Sequence, residues 1–248
     1  MESRSKSFIA VVGSQNYNLA TPYSDVDKLH FVYPSWEDLY QGKFVKDRST
    51  SDSLDYAVHD VRKFAHYLCK GSPNFIEALF TVRATISDSL FEELRGMRSS
   101  IARMNLPSLY NACKGMFRQQ QSKAEMEVFN NPSDTKTVGK HIASAIRIAQ
   151  LLIRFQESGF TNYDNALWYK SNSPEQLELT RLKEGKVKSY EKLLLYIDRL
   201  DEYDDAISRL YDSYVPNTVD LKTEKLVNDI VGEFVQLNIV EELKRGLK

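Results

Sequence analysis

The chain has 248 residues with a 42% apolar share, enough to bury the core of one large domain or two modest ones. A formal net charge of −1 excludes a polycation that coats nucleic acid through bulk charge, so any contact with RNA or DNA needs a local basic surface. Only two cysteines occur, Cys69 and Cys113, and they stand apart, which excludes a disulfide scaffold and a paired-cysteine zinc site and fits a reducing, cytoplasmic setting.

Up to about residue 60 the apolar runs are short and rich in β-branched and aromatic residues. Phe8–Val12, Leu29–Tyr33 and Leu54–Val58 are the predicted strands, with turn-forming clusters between them. The first run is too brief for a signal-peptide core, and no run approaches the roughly 20 apolar residues that span a bilayer. From Asp60 the spacing changes. Val61, Phe64, Ala65 and Leu68 fall at i, i+3, i+4 and i+7, which predicts a helix with Asp60 as its N-cap and Gly71 as its stop. Ser72-Pro73 restarts a helix that carries Phe75, Ile76, Leu79 and Phe80. Further helices are predicted at about 88–100, 107–124, 136–158, 189–213 and 219–245, separated by Asn-Asn-Pro, Asn-Ser-Pro and Val-Pro-Asn breaks. In the last of them Leu226, Ile230, Phe234 and Leu237 form the expected core-facing stripe. The fold class is therefore α+β: a small mixed sheet flanked by helices over 1–105, then an all-α helical domain over 106–248.

The chemistry-bearing residues cluster early. Val12-Gly13-Ser14 ends the first strand in a turn where a phosphate can approach closely, because glycine has no Cβ to block it. An isolated Gly-Ser is more often a plain turn. Ten residues on, Ser24-Asp25-Val26-Asp27 opens the second strand, and i, i+2 spacing on a strand sets Asp25 and Asp27 on one face. Two neighbouring carboxylates repel unless a cation lies between them, and as hard oxygen ligands they suit Mg²⁺ or Mn²⁺. The plainer alternative is a solvated turn in which Ser24 or Asp25 satisfies backbone amides.

Taken together, GSQNYNLATPYSDVD and LDYAVHDVRKFAHYLCKGSPNFIEALF resemble the nucleotidyltransferase signature of the DNA polymerase β superfamily. Within it they resemble the RNA-repair-pathway polymerase β subfamily, whose pattern runs GSxxYGLxTPxSDxD, then an aspartate before a D-L-R-K-F helix start, then K-x-N/S-P-N-x-x-E-L-L. A fainter similarity lies in Lys140-His141 followed by Ala145-Ile146-Arg147. Asn18 stands where the subfamily has glycine, a tolerable change since asparagine accepts positive φ better than most residues. Ser144 replaces a frequent histidine.

The resemblance implies an Mg²⁺- or Mn²⁺-dependent enzyme that transfers a nucleoside monophosphate from an NTP, such as ATP, to a hydroxyl. Asp25, Asp27 and Asp55 are the implied metal ligands and catalytic residues, with Asp52 as the fallback for Asp55. Gly13 and Ser14 are implied to hold the β- and γ-phosphates. Lys123, Lys140, His141 and Arg147 are weaker candidates for contacts to nucleotide or acceptor, set against an ordinary solvated helix surface. Residues 106–150 hold six Lys or Arg against three Asp or Glu, a mild local excess. An RNA or tRNA end is the first acceptor, because the subfamily name points there. A protein side chain or an aminoglycoside-like small molecule is the alternative acceptor, and a non-catalytic nucleotide-binding or toxin–antitoxin-type module is the alternative class. Tyr163, Trp168 and Tyr169 can stack a base but more often pack in a core. The sequence does not fix the oligomeric state.

Overall fold

A computed structural model describes residues 4–50, 54–85 and 88–246 of the chain. Contacts divide it into two compact units, one of Met1–Asn16, Ser24–Asn105 and Val219–Lys248, the other of Tyr17–Tyr23 and Leu106–Thr218. A single cut at 105/106 thus leaves out two exchanges. The last helix packs with the N-terminal unit, and seven residues of the early motif fold with the helical unit.

The first unit is built on a five-stranded mixed sheet. Its strands are β1 (Lys6–Val12), β2 (Val26–Val32), β3 (Lys46–Thr50), β4 (Leu54–Asp60) and β5 (Ala84–Thr85), in the order β3-β4-β2-β1-β5. The β2–β4 pair is parallel and the other three pairs are antiparallel. Around the sheet lie α1 (Trp36–Tyr40), α2 (Val61–Cys69), α3 (Pro73–Leu79), α4 (Ser89–Gly96) and α5 (Arg98–Arg103). The helix starts follow capping chemistry. Asp60 accepts from the Arg62 amide at 2.9 Å and its carboxylate meets the Arg62 guanidinium at 2.6 Å, while Pro73 occupies the first turn of α3. Phe8, Phe31, Phe64 and Phe91 form the centre of the core, with ring centroids 4.3–5.2 Å apart along the contacts Phe8–Phe31, Phe8–Phe64 and Phe8–Phe91.

β3 and β5 are absent from the predicted strands for plain reasons. Lys46-Asp47-Arg48-Ser49-Thr50 carries no apolar residue and is held as an edge strand by its backbone pairing to β4, and β5 is two residues long. The helix expected over 88–100 is broken at Met97 into α4 and α5.

The second unit is helical: α6 (Leu106–Asn130), α7 (Thr135–Glu157), α8 (Tyr163–Leu167), α9 (Pro174–Lys183), α10 (Tyr190–Arg209) and α11 (Tyr211–Tyr214). Its core comes from Leu109, Phe117, Ala124 and Val128 of α6 and Ile142, Ile146, Ala149 and Leu152 of α7, all buried. α7 and α9 approach closely at Gly139, where an added Cβ would sit 2.0 Å from the Leu182 carbonyl oxygen. The two short helices α8 and α9 lie between the helices predicted at 136–158 and 189–213, in a stretch where the sequence predicts no helix. No strand occurs beyond residue 85 among the described residues, and none of their helices is long and apolar enough to cross a membrane.

α12 (Leu221–Gly246) returns to the first unit and corrects the expected stripe. Val227, Val231, Val235 and Ile239 are buried, whereas Leu226 and Leu237 are exposed. Both series have helical spacing, and side-chain size favoured the wrong one. A strict four-residue repeat drifts by about 40° per step around a helix. The buried stripe therefore turns around α12 as that helix passes α2, α4, α5 and α1.

Candidate active site

The end of β1 and the starts of β2 and β4 meet at one end of the central strands of the sheet. Antiparallel register pairs Val12 with Asp27, and parallel register pairs Asp27 with Asp55. Two of the candidate aspartates are thus direct neighbours across adjacent strands. The side chain of Asp55 and the whole of Asp52 lie outside the described residues. Asp25 is exposed and corrects one detail: β2 begins at Val26, so Asp25 stands one residue ahead of the strand rather than within it. The chain is still leaving the turn at Pro22-Tyr23 there. Among the described side chains no group of three His, Cys, Asp or Glu is arranged to hold a metal.

Gly13 opens a short 3₁₀ turn, Gly13–Gln15, directly after β1. Two constraints require glycine. Its φ is +71°, and a Cβ built there would lie 2.5 Å from Oδ2 of Asp27. The missing side chain is the space that the Asp27 carboxylate occupies. The Gly13 amide donates at 2.6 Å to Oε1 of Glu77, a buried residue of α3. Hence Gly13 does not offer its own amide outward, contrary to the sequence expectation; Ser14, half-buried, is the next donor in the turn. Buried Asn16 locks the far side. Its Nδ2 donates to the carbonyl and the carboxylate of Glu77, both at 3.4 Å, and its Oδ1 accepts from the Val82 amide at 2.9 Å.

The remaining candidates lie in the helical unit. Lys123 and Lys140 are exposed on α6 and α7. His141 Nδ1 lies 2.8 Å from Oε1 of Gln120, and its pKa is lowered by burial first, then by the Lys123 charge, with Lys140 adding and Glu127 opposing. The Arg147 guanidinium stacks on the Tyr17 ring, 4.1 Å from its centroid. Tyr163 and Tyr169 are core residues and Trp168 alone of that trio is exposed. Acidic α10 spends Asp201 and Asp204 on Gln121 and Arg118 of α6, a helix-surface role. Both thiols are buried, which pushes Cys69 up to about 11 and Cys113 up to about 12, so neither is a ready nucleophile.

Residues 6–127, about half of the chain, match the RNA repair pathway DNA polymerase beta family. By its N-terminal half the chain belongs to the polymerase-β-like nucleotidyltransferases. A solved structure, the nucleotidyltransferase-like protein from Exiguobacterium sibiricum 255-15, is 12% identical, with 98% of this chain and 87% of that chain covered at a TM-score of 0.29. No curated protein matches.

Residues with no role assigned from the sequence hold the motif in shape. The segment Tyr17–Tyr23 between Ser14 and Asp25 is gripped at successive carbonyls. Tyr17 O accepts from the Tyr169 amide at 3.1 Å, Asn18 O from Gln176 Nε2 at 3.2 Å, and Leu19 O from Lys183 Nζ at 2.8 Å. Asn18 has φ +61°, as its place in a glycine position suggested, and its Nδ2 donates to the Tyr169 carbonyl and the Ser171 hydroxyl. For Gln176 and Lys183 no signal existed in the sequence, because the partners are backbone atoms. For Glu77 one did: a glutamate inside the apolar run Phe75-Ile76-Glu77-Ala78-Leu79 needs a buried partner.

Proposed function

We propose that this protein transfers a nucleoside monophosphate from an NTP to a hydroxyl acceptor, with Asp25, Asp27 and Asp55 holding Mg²⁺ or Mn²⁺. The observation that carries this reading is the collision distance at Gly13. The turn and the carboxylate are fitted to each other so closely that a methyl group cannot enter between them. A solvated turn that merely caps amides does not need that fit.

The donor set suits a hard divalent cation, being oxygen only, with Asp27 and Asp55 side by side in register and Asp25 exposed beside them. When bound there, such a cation neutralises phosphate charge and lowers the pKa of the acceptor hydroxyl. The protein's own groups do the rest. Ser14 and the amides that follow Gly13 orient the distal phosphates. Lys140 and Arg147, seven residues apart on α7, and Lys123 and His141 belong to the helical unit and are candidate contacts for nucleotide or acceptor. The favoured acceptor is an RNA or tRNA end, on the strength of the family the chain matches.

Calorimetric titration of each NTP with and without Mg²⁺ tests the site. The expected result is binding that depends on the metal and is lost in Asp27→Asn. Tight binding indifferent to Mg²⁺ would favour a non-catalytic nucleotide-binding module. Incubation of α-labelled NTP with total RNA, with lysate protein and with an aminoglycoside then identifies the acceptor class.

A further inference from the structure

Three carboxylates are buried among the described residues. Asp38 and Asp60 face arginines, Arg4 and Arg62. Glu77 places Oε1 against the Gly13 amide at 2.6 Å, with Asn16 Nδ2 3.4 Å from the same oxygen. We propose that Glu77 is a positioning residue for Asp27, acting through Gly13. Its effect on transfer rests on the nucleotidyltransferase reading above; its effect on the Gly13 amide does not.

Glycine has little intrinsic preference between positive and negative φ, so a turn that needs Gly13 at +71° needs something to select it. The Glu77 carboxyl oxygen does so by accepting from the Gly13 amide at 2.6 Å. It is also delivered from a fixed platform. Ser72-Pro73 sets the start of α3, and Ile76, Ala78 and Leu79 around Glu77 are completely buried. The segment after α3 returns to the same place, where the Thr81 hydroxyl donates to the Val11 carbonyl at 2.7 Å and the Val82 amide donates to Asn16 at 2.9 Å. α3 and its exit thus tie Val11, Gly13 and Asn16, the residues that bracket the turn.

The link to chemistry is a shared residue, Gly13. Glu77 Oε1 is 2.6 Å from the Gly13 amide, and the space beside that Cα is filled by Asp27 Oδ2. Adding the span from amide to Cβ position keeps the two carboxylate oxygens within about 8 Å of each other. If Gly13 relaxed toward ordinary φ, the wall against which Asp27 rests would move, and its carboxylate with it. A side-chain acceptor of the right length is what this role demands, whereas negative charge is what a metal ligand would demand.

Glu77→Gln and Glu77→Asp separate the two. Glutamine keeps length and an acceptor oxygen; aspartate keeps charge but falls short by one bond, about 1.5 Å. The full chain is labelled with ¹⁵N-glycine, and the Gly13 amide is assigned by its absence in Gly13→Ala. Its hydrogen exchange and transfer from α-labelled NTP are then read on the same samples, with thermal melts. The expected result is a slowly exchanging Gly13 amide in wild type and Glu77→Gln, and a fast one in Glu77→Asp. Transfer is expected to fall about tenfold or more in kcat for Glu77→Asp, and to stay within about threefold in Glu77→Gln with unchanged Mg²⁺ dependence. An equally protected amide in Glu77→Asp overturns the proposal, as does a Glu77→Gln protein that transfers worse than Glu77→Asp. Wild type without transfer but with the expected amide pattern overturns the nucleotidyltransferase reading and leaves the Glu77–Gly13 link standing.

Discussion

Replacing Gly13 with alanine attacks the motif at the point where space and conformation are both committed. Holding alanine at φ +71° costs about 1–2 kcal/mol, the ordinary penalty for an L side chain in the left-handed region. The new methyl would stand 2.5 Å from Asp27 Oδ2 and 3.4 Å from its Cγ, so the carboxylate must swing away. An off-rotamer displacement of that kind adds about 0.5–1.5 kcal/mol. Together these lower stability by about 1.5–3.5 kcal/mol, which for a chain of this size lowers Tm by about 3–14 °C. Because a misplacement of about 1 Å at a reacting group costs on the order of 100-fold, nucleotide transfer should fall by that factor. Gly42→Ala is the control. Gly42 also has positive φ, +63°, yet a Cβ there meets nothing within 4 Å. It should lose about 2–8 °C in Tm from backbone strain alone and keep full activity. Thermal melts and label transfer on both variants decide the matter. Equal activity of Gly13→Ala and Gly42→Ala would refute the reasoning, since strain without collision would then explain everything.

Lys183→Met should lower transfer by about tenfold while leaving Tm within a few degrees, because it removes the Leu19 carbonyl's anchor in the segment that joins Ser14 to Asp25; Lys183→Arg should restore most of it. Acid should destabilise the protein through its histidines. The pKa of His59 is lowered from 6.5 by burial first and by Lys46 second; His30 is lowered by burial, then Lys6 and Lys28; and His141 is lowered as described above. The unfolded chain takes these protons near pH 6.5 while the folded chain resists, so their contribution is fully present above about pH 6.5 and is lost as pH falls toward the lowered folded values. Melts from about pH 7.5 to 5.5 should show this, with a shallower fall in His59→Phe; an unchanged slope in that variant would contradict it.

Much of this molecule is legible before any coordinates. The strands at β1, β2 and β4 announce themselves by β-branched and aromatic runs, and α2 by its apolar spacing and the Asp60 cap. The glycine–serine turn and the aspartates are visible because their chemistry fixes residue type as well as spacing. What stays hidden is what depends on backbone partners. β3 has no apolar side chain to mark it. Lys183 and Gln176 act on carbonyls of residues more than 150 positions earlier, which no local pattern records. The exchange of Tyr17–Tyr23 into the helical unit is invisible for the same reason. The α12 stripe failed differently: two apolar series satisfied the same period, and only packing chose between them. The Gly-Ser turn reads as lending the Gly13 amide to a phosphate, but buried Glu77, 64 positions later, takes that donor.

The most direct test of the nucleotidyl-transfer reading compares α-labelled with γ-labelled NTP in the presence of Mg²⁺ and total RNA. The expected result is label from the α-phosphate in the acceptor, pyrophosphate released in equal amount, and no label from the γ-phosphate. Asp25→Asn and Asp27→Asn should each abolish the signal while melting at or slightly above the wild-type temperature, since asparagine keeps the shape but removes the charge that holds the cation. Label arriving from the γ-phosphate, or full α-label transfer by both asparagine variants, would contradict the site described at the Gly13 turn.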